Sequence, residues 1–295
     1  MTLFITQNSL MNDLISPVAV VAHDSGAANL IISWLKKWNE PVRPYMEGPA
    51  EKLWKSTFPS TPLYLSLRDA LNDASSVITG SGWASNLEHN ARVLAGELGL
   101  YSVTVLDHWV NYPMRFVRDS KVQLPDEIWV VDRWAFQIAQ KEIPNISIRL
   151  FENTYLQDQL AKISPAPANG TVLYILEPVR QNWGRDQAGE FQSLDFALKK
   201  IDRLYPAGVS KIFLRPHPSE SPDKYEKYLV SDARIEIDES EDLAAAISLA
   251  DIVIGVESFA LTVALASGRT VYSSLPPWAS ALRLPQHGIR QLRNL

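Results

Sequence analysis

Four short apolar runs stand in the first half of the chain: VAVVAH at 18–23, SVITGSG at 76–82, YSVTVLDH at 101–108 and EIWVVD at 127–132. They do not alternate apolar with polar. Strands of that kind need cover on both faces, which parallel sheets obtain from crossover helices. The stretches between supply them: AANLIISWLKKW (27–38) and NLEHNARVLAGELG (86–99) place apolar residues at helical spacing. Weaker strands are expected at 41–46 and 62–65. Trp34 and Trp38 share one helical face and read as core.

The rhythm breaks at LAKISPAPANG (160–170), which carries Pro, Ala, Asn and Gly without periodicity and reads as an interdomain linker. Beyond it the pattern restarts. Strands are expected at 171–178, 211–218, 234–238, 251–256 and 270–274, with helices at 191–205, 241–250 and 258–268. The predicted fold class is therefore α/β, with two Rossmann-like doubly wound parallel-sheet domains, 1–163 and 164–295, facing a cleft.

The 295 residues are 46% hydrophobic and 21% charged, enough to bury a core in each half. A net charge of −5 argues against nucleic acid as a partner and leaves room for a local phosphate grip. There is no cysteine, hence no disulfide or thiolate metal site, which suits a cytoplasmic protein. The first 26 residues lack a basic region followed by an unbroken apolar core, so neither a signal peptide nor a membrane span is expected. A membrane-linked substrate would be met from the cytoplasm, by peripheral association. No metal centre, Walker loop or nucleophile elbow is recognisable.

Chemistry-bearing residues gather where strands end. In KIFLRPHPSE (211–220), prolines stop a strand directly after Arg215 and present His217. In GVESFAL, Glu257 and Ser258 follow another strand, with Ser258 expected to cap the next helix and offer its N-terminus to a phosphate. The turn EPVRQNWGR adds Arg180 and Arg185. In the first half, AHDSGAAN offers His23, Asp24, Ser25 and Gly26. Gly26 reads as a tight turn, Asp24 and Ser25 as caps, and His23 and Asp24 as facing the cleft. TGSGWASN offers Gly82, for close ligand approach, and Trp83, for stacking on a sugar or base or for wedging between domains. Glu88 and His89 read as a solvated helix face. VTVLDHWVNY ends in Asp107 and His108 beside aromatics, which suits a general base: Asp107 first, His108 as the substitute.

The segments RPHPSE and DIVIGVESFALTVALASGRTVY resemble the nucleotide-binding half of GT-B glycosyltransferases. They look most like the bacterial sialyltransferase, polysialyltransferase and capsule Kdo transferase group and the teichoic-acid glycerophosphotransferases. The resemblance spans about 210–275. It implies that His217 contacts the donor phosphate and assists its departure, and that Ser258 binds that phosphate. Glu257–Ser258 stands where the resemblance leads one to expect two hydroxyl residues, so CMP, CDP, UDP and GDP all stay open. It also implies an acidic or imidazole base in the first half, a role that falls to Asp107 or His108.

The resulting expectation is a metal-independent, inverting glycosyltransferase of bacterial surface-polysaccharide or glycan synthesis. It would use a nucleotide sugar as substrate, no cofactor, and a glycan or lipid-linked acceptor. The alternatives are a nucleotide-sugar epimerase or hydrolase of the same fold, and a non-catalytic nucleotide- or glycan-binding paralogue.

Overall fold

The computed structural model describes residues 14–82, 85–179, 181–217 and 220–295. Trp83 and Arg180, both expected at the site, lie outside them. The chain divides into two compact units, Met1–Tyr155 and Leu156–Leu295. Each is built on a six-stranded parallel sheet with interleaved helices, as the doubled strand–helix rhythm predicts.

The first unit contains β1 (Val18–Ala22), β2 (Val42–Met46), β3 (Ser76–Thr79), β4 (Tyr101–Val105), β5 (Val117–Arg118), β6 (Lys121–Val122), β7 (Glu127–Val130) and β8 (Ser147–Leu150). The sheet order is β2-β1-β3-β4-β7-β8, and β5 and β6 form a separate antiparallel hairpin. The winding direction reverses between β1 and β3. All residues of β1, β3 and β7 are buried, which is why those segments read as continuous apolar runs. The strand expected at 62–65 does not form. Pro62 has no N–H to give, and the segment instead runs past the edge strand β2 with a bond from the Tyr64 N–H to the Pro44 carbonyl at 2.8 Å. The unexpected β8 is a partly exposed edge strand carrying Ser147 and Arg149, with no apolar run to betray it.

An aromatic cluster fills the space between this sheet and the helix Ser25–Leu35. Trp129 stacks on Phe151 at 4.1 Å, and Trp34 meets Trp129 edge-on at 5.9 Å. The Trp34 indole N–H donates to the Glu152 carbonyl at 3.0 Å, so its buried polar atom is satisfied. Trp38 packs against the same cluster.

The second unit contains β9 (Thr171–Ile175), β10 (Lys211–Arg215), β11 (Ile235–Ile237), β12 (Ile252–Gly255), β13 (Thr270–Ser273) and β14 (Arg290–Gln291). Its order, β11-β10-β9-β12-β13-β14, is the 3-2-1-4-5-6 arrangement of dinucleotide-binding folds, and it reverses between β9 and β12. Residues 160–170 are bound to this unit. The Asp251 carboxylate accepts the backbone N–H groups of Ala168, Asn169 and Gly170 at 2.6, 2.9 and 2.7 Å. Among the described residues, no helix is long and apolar enough to cross a membrane.

Candidate functional site

In open α/β sheets ligands sit outside the carboxyl ends of the strands, at the point where the strand order reverses. In the first unit that point lies between β1, which ends in His23 and Asp24, and β3, which ends in Gly80, Ser81 and Gly82. Asp107 stands at the end of the neighbouring β4.

Asp24 holds the N-cap position of the helix Ser25–Leu35, yet its side chain makes no cap bond. Its Oδ1 lies 2.7 Å from His23 Nδ1 instead, forming a carboxylate–imidazole pair. Ser25, expected as a cap, is the first residue inside the helix. Gly26 makes no tight turn; it clears space. A Cβ there would stand 1.8 Å from Asp107 Oδ2, so the carboxylate rests against the first helical turn where only glycine allows it. Gly82 does the same for Asp24, whose Oδ2 would lie 2.3 Å from an added Cβ.

The other Asp107 oxygen is held by Arg115 Nη1 at 3.3 Å. That buried guanidinium also donates to the Ser81 hydroxyl at 3.2 Å and to the Val110 carbonyl at 3.1 Å. Arg115 thus ties the β3 and β4 ends together. His108 accepts the Trp109 backbone N–H on Nδ1 at 3.0 Å, which places the proton of the neutral ring on Nε2.

The reading of Glu88 and His89 as a solvated face is overturned: both are buried in the helix Leu87–Leu98. Glu88 Oε1 accepts the His23 backbone N–H at 2.8 Å, while Oε2 has no hydrogen-bond partner. Burial pushes its carboxyl above the usual range. Burial, then Arg92 and Arg118, push the His89 imidazole down. Arg92, almost fully buried, donates to the Gln123, Gly80 and Arg115 carbonyls, and burial lowers it to about 10. Helical periodicity alone cannot reveal such charged residues turned inward. Small residues clustered at 80–82, opposite a charge-bearing helix face, were the available signal.

In the second unit the adjacent strands β10, β9 and β12 end in His217, Glu177 and Glu257–Ser258. Ser258 caps the helix Phe259–Ala266 as expected, its hydroxyl accepting the Ala260 N–H at 3.2 Å. Glu257 is gripped by Arg283, whose Nη2 lies 2.7 Å from Oε2 and whose backbone N–H lies 2.7 Å from Oε1. Its carboxylate is therefore ion-paired, which sets it apart from the hydroxyl that would offer a phosphate a hydrogen bond. His217, at the end of β10, is half-buried.

Glu177 was not singled out in the sequence. It lies at the reversal point itself, and its Oε1 accepts the Glu257 backbone N–H. Burial pushes its carboxyl up to about 7, and the neighbouring Glu257 and Glu220 charges add to that. A charged residue directly after the fully buried strand β9 was the signal that pointed to it.

Two expected phosphate ligands are engaged elsewhere. Arg215 pairs with the buried Asp238 and donates to the Ser240 carbonyl at 3.3 Å. Arg185 lies 3.8 Å from the Trp278 ring centroid, in an open groove of about 710 Å³ lined also by Gln192, Asp195 and Phe196.

No protein-family model matches the chain, and no curated protein matches it. Solved structures do. A glycotransferase of kitacinnamycin is similar at a TM-score of 0.53 and 13% identity, over 91% of this chain and 81% of that one. A Listeria monocytogenes protein assigned as a UDP-N-acetylglucosamine 2-epimerase is similar at a TM-score of 0.57 and 14% identity, over 86% and 78%. At these identities the likeness is one of fold: the chain has the two-domain, parallel-sheet α/β architecture of the GT-B class.

Proposed function

We propose that the protein is a nucleotide-sugar-dependent glycosyltransferase, its first unit receiving the acceptor and its second the donor. The observation that carries this reading is the delivery of His217, Glu177 and Ser258 to one sheet edge, at the reversal of a dinucleotide-type strand order. In this reading Asp107 takes the proton of an acceptor hydroxyl as that oxygen bonds to the anomeric carbon. The bond from that carbon to the donor phosphate breaks, and its electron pair leaves with the phosphate. His217 and the helix terminus at Ser258 stabilise the departing charge in place of a metal, and attack from the face opposite the leaving phosphate inverts the anomeric centre.

Asp107 suits the base role better than His108. Arg115 and Gly26 fix its carboxylate, whereas the His108 Nδ1 lone pair is taken by the Trp109 N–H. The His23–Asp24 pair is the other proton acceptor at this edge. An acceptor in surface-glycan synthesis, the use of no cofactor, and a cytoplasmic site of action belong to the same proposal.

A panel of CMP, CDP, UDP and GDP in a thermal-shift assay tests the donor site. One nucleotide is expected to stabilise the protein selectively, and no response to any of them refutes the reading. A second reading, an epimerase or hydrolase, draws on the two carboxyls at the β9–β12 reversal and on the fold shared with the Listeria protein. Release of free or epimerised sugar without any acceptor would select it.

A further inference from the structure

Among the described residues, the carboxyl edge of the second sheet is poor in uncommitted positive charge for a site that is to hold a phosphate. Glu177 and Glu257 meet at the β9–β12 reversal through the bond from the Glu257 N–H to Glu177 Oε1. Glu257 is neutralised by Arg283. Beyond His217, Glu220 is held by Lys224 and by the Tyr225 hydroxyl at 2.9 Å. Lys224 also serves Glu190 at 2.7 Å, and Glu190 in turn accepts the Val179 N–H. Each of these carboxylates has a cationic partner. Among the described residues, Glu177 has one backbone N–H as donor, and Arg283 acts on it through its charge alone.

A phosphate drawn to the helix terminus at Ser258 enters beside that carboxyl, because β9 and β12 are adjacent and their ends are joined by the Glu257 N–H. Two anions in one poorly solvated site cannot both keep full charge, so one gains a proton. Arg283 is hydrogen-bonded to Glu257, and its charge offsets only part of what burial and Glu257 do to Glu177.

Resting on the donor-site reading above, we infer that Glu177 is a proton-linked gate of the donor phosphate: the phosphate is bound with Glu177 in its neutral form and excluded when Glu177 is ionised. Glu177 acts here as a positioning residue. In the neutral form its carbonyl oxygen keeps the Glu257 N–H, which holds the loop before the helix terminus, and its hydroxyl becomes a donor towards the incoming anion. Its carboxyl, raised to about 7 by burial and by Glu257 and Glu220, is within reach of protonation near neutrality. The charged groups acting on it are Glu257, Arg283 and Glu220.

The test is calorimetric titration of the full chain with the nucleotide that the stabilisation panel selects, from about pH 6 to about pH 9. It is done in buffers of different ionisation heat, on the wild type and on Glu177→Gln. Wild-type affinity is expected to fall about tenfold per pH unit above about 7, with close to one proton taken up per nucleotide bound. Glu177→Gln, an isosteric stand-in for the neutral acid, should bind at about pH 8.5 roughly thirtyfold more tightly than the wild type and lose that proton uptake. The slope it retains belongs to His217 and to the ligand itself. Equal pH slopes and equal proton uptake in the two proteins overturn the gate while leaving the donor site standing. Absence of binding by either protein at every pH overturns the donor-site reading and the gate with it. The infrared carbonyl band of a protonated carboxyl, present in the wild-type complex and lost in Glu177→Gln, is the supporting readout independent of affinity.

Discussion

At the reversal of the first sheet the groups nearest the strand ends are held by partners: Asp107 by Arg115, His23 by Asp24, and Arg92 by three carbonyls, while the buried Glu88 behind them keeps one backbone donor. At the reversal of the second sheet, Glu177 is an acid that, among the described residues, has a single backbone donor, beside an ion-paired Glu257. The first edge has the geometry of a preset proton acceptor, in which no charge has to move before a substrate arrives. The second is poised, because the ionisation of Glu177 can follow what binds there. The amino-terminal edges show that paired carboxylates alone do not make a site. Buried Glu127, at the start of β7, is satisfied by Arg149 at 3.0 Å and the Trp129 indole at 2.9 Å, and Asp251, before β12, by backbone N–H groups. Those networks staple strands together; the carboxyl edges add open strand ends and helix termini.

The largest test of the locked edge is Asp107→Asn. If this carboxylate is the base, kcat for transfer should fall by about 10²–10⁴. The amide keeps an oxygen for Arg115, so the thermal midpoint should move little. Equal losses in kcat from Asp107→Asn and His23→Asn would show that the two strand ends act as one unit. A loss confined to His23→Asn would transfer the base role to the imidazole.

Gly26→Ala probes the same lock sterically. The new Cβ would lie 1.8 Å from Asp107 Oδ2, so either the helix start or the carboxylate must shift. A loss of about 1–3 kcal/mol in denaturant stability is expected, together with loss of transfer. Retention of both would mean that Asp107 moves freely and that its lock is not needed.

The poised edge is broken differently. Glu177 has a raised carboxyl when folded and an ordinary one when unfolded, so between about 4.5 and about 7 the folded state binds the extra proton. Its contribution to stability is complete below that window and is lost as the pH climbs through about 7. Glu177→Gln should therefore flatten this part of the stability–pH curve and exceed the wild type at about pH 8 by roughly 2 kcal/mol. Urea midpoints measured across the window check the direction: a wild type that gains stability relative to Glu177→Gln as pH rises would contradict a half-buried, raised acid.

The strands that place both edges were legible because buried parallel strands leave unbroken apolar runs, as in β1 and β12. The edge strands β8 and β14 were not, being partly exposed, and β14 is only two residues long. The same division holds at the sites. Asp107, His217 and Ser258 come within three residues of apolar runs, and their places at strand ends were readable. Arg115 comes eight positions after Asp107 along the chain, from a short helix, and only the folded turn brings the two together. Glu88 looked solvated because a charged residue on a helix reads as surface until the sheet it packs against is known. Arg215 and Arg185 show a related effect: a cation near a strand end goes to whichever partner its long side chain reaches, here Asp238 and the Trp278 ring.

The smallest expected effect separates a cap from a ligand at Ser258. Its hydroxyl accepts the Ala260 N–H at 3.2 Å, so Ser258→Ala should cost about 1 kcal/mol in the nucleotide-free protein, and Ser258→Thr should restore most of it. That much follows from capping alone. If the same terminus also binds the donor phosphate, Ser258→Ala will in addition shrink the nucleotide-induced rise in thermal midpoint, and Ser258→Thr will recover it. An unchanged nucleotide shift in Ser258→Ala would leave the hydroxyl as a cap and move the burden of phosphate binding to His217 and the backbone of the helix start.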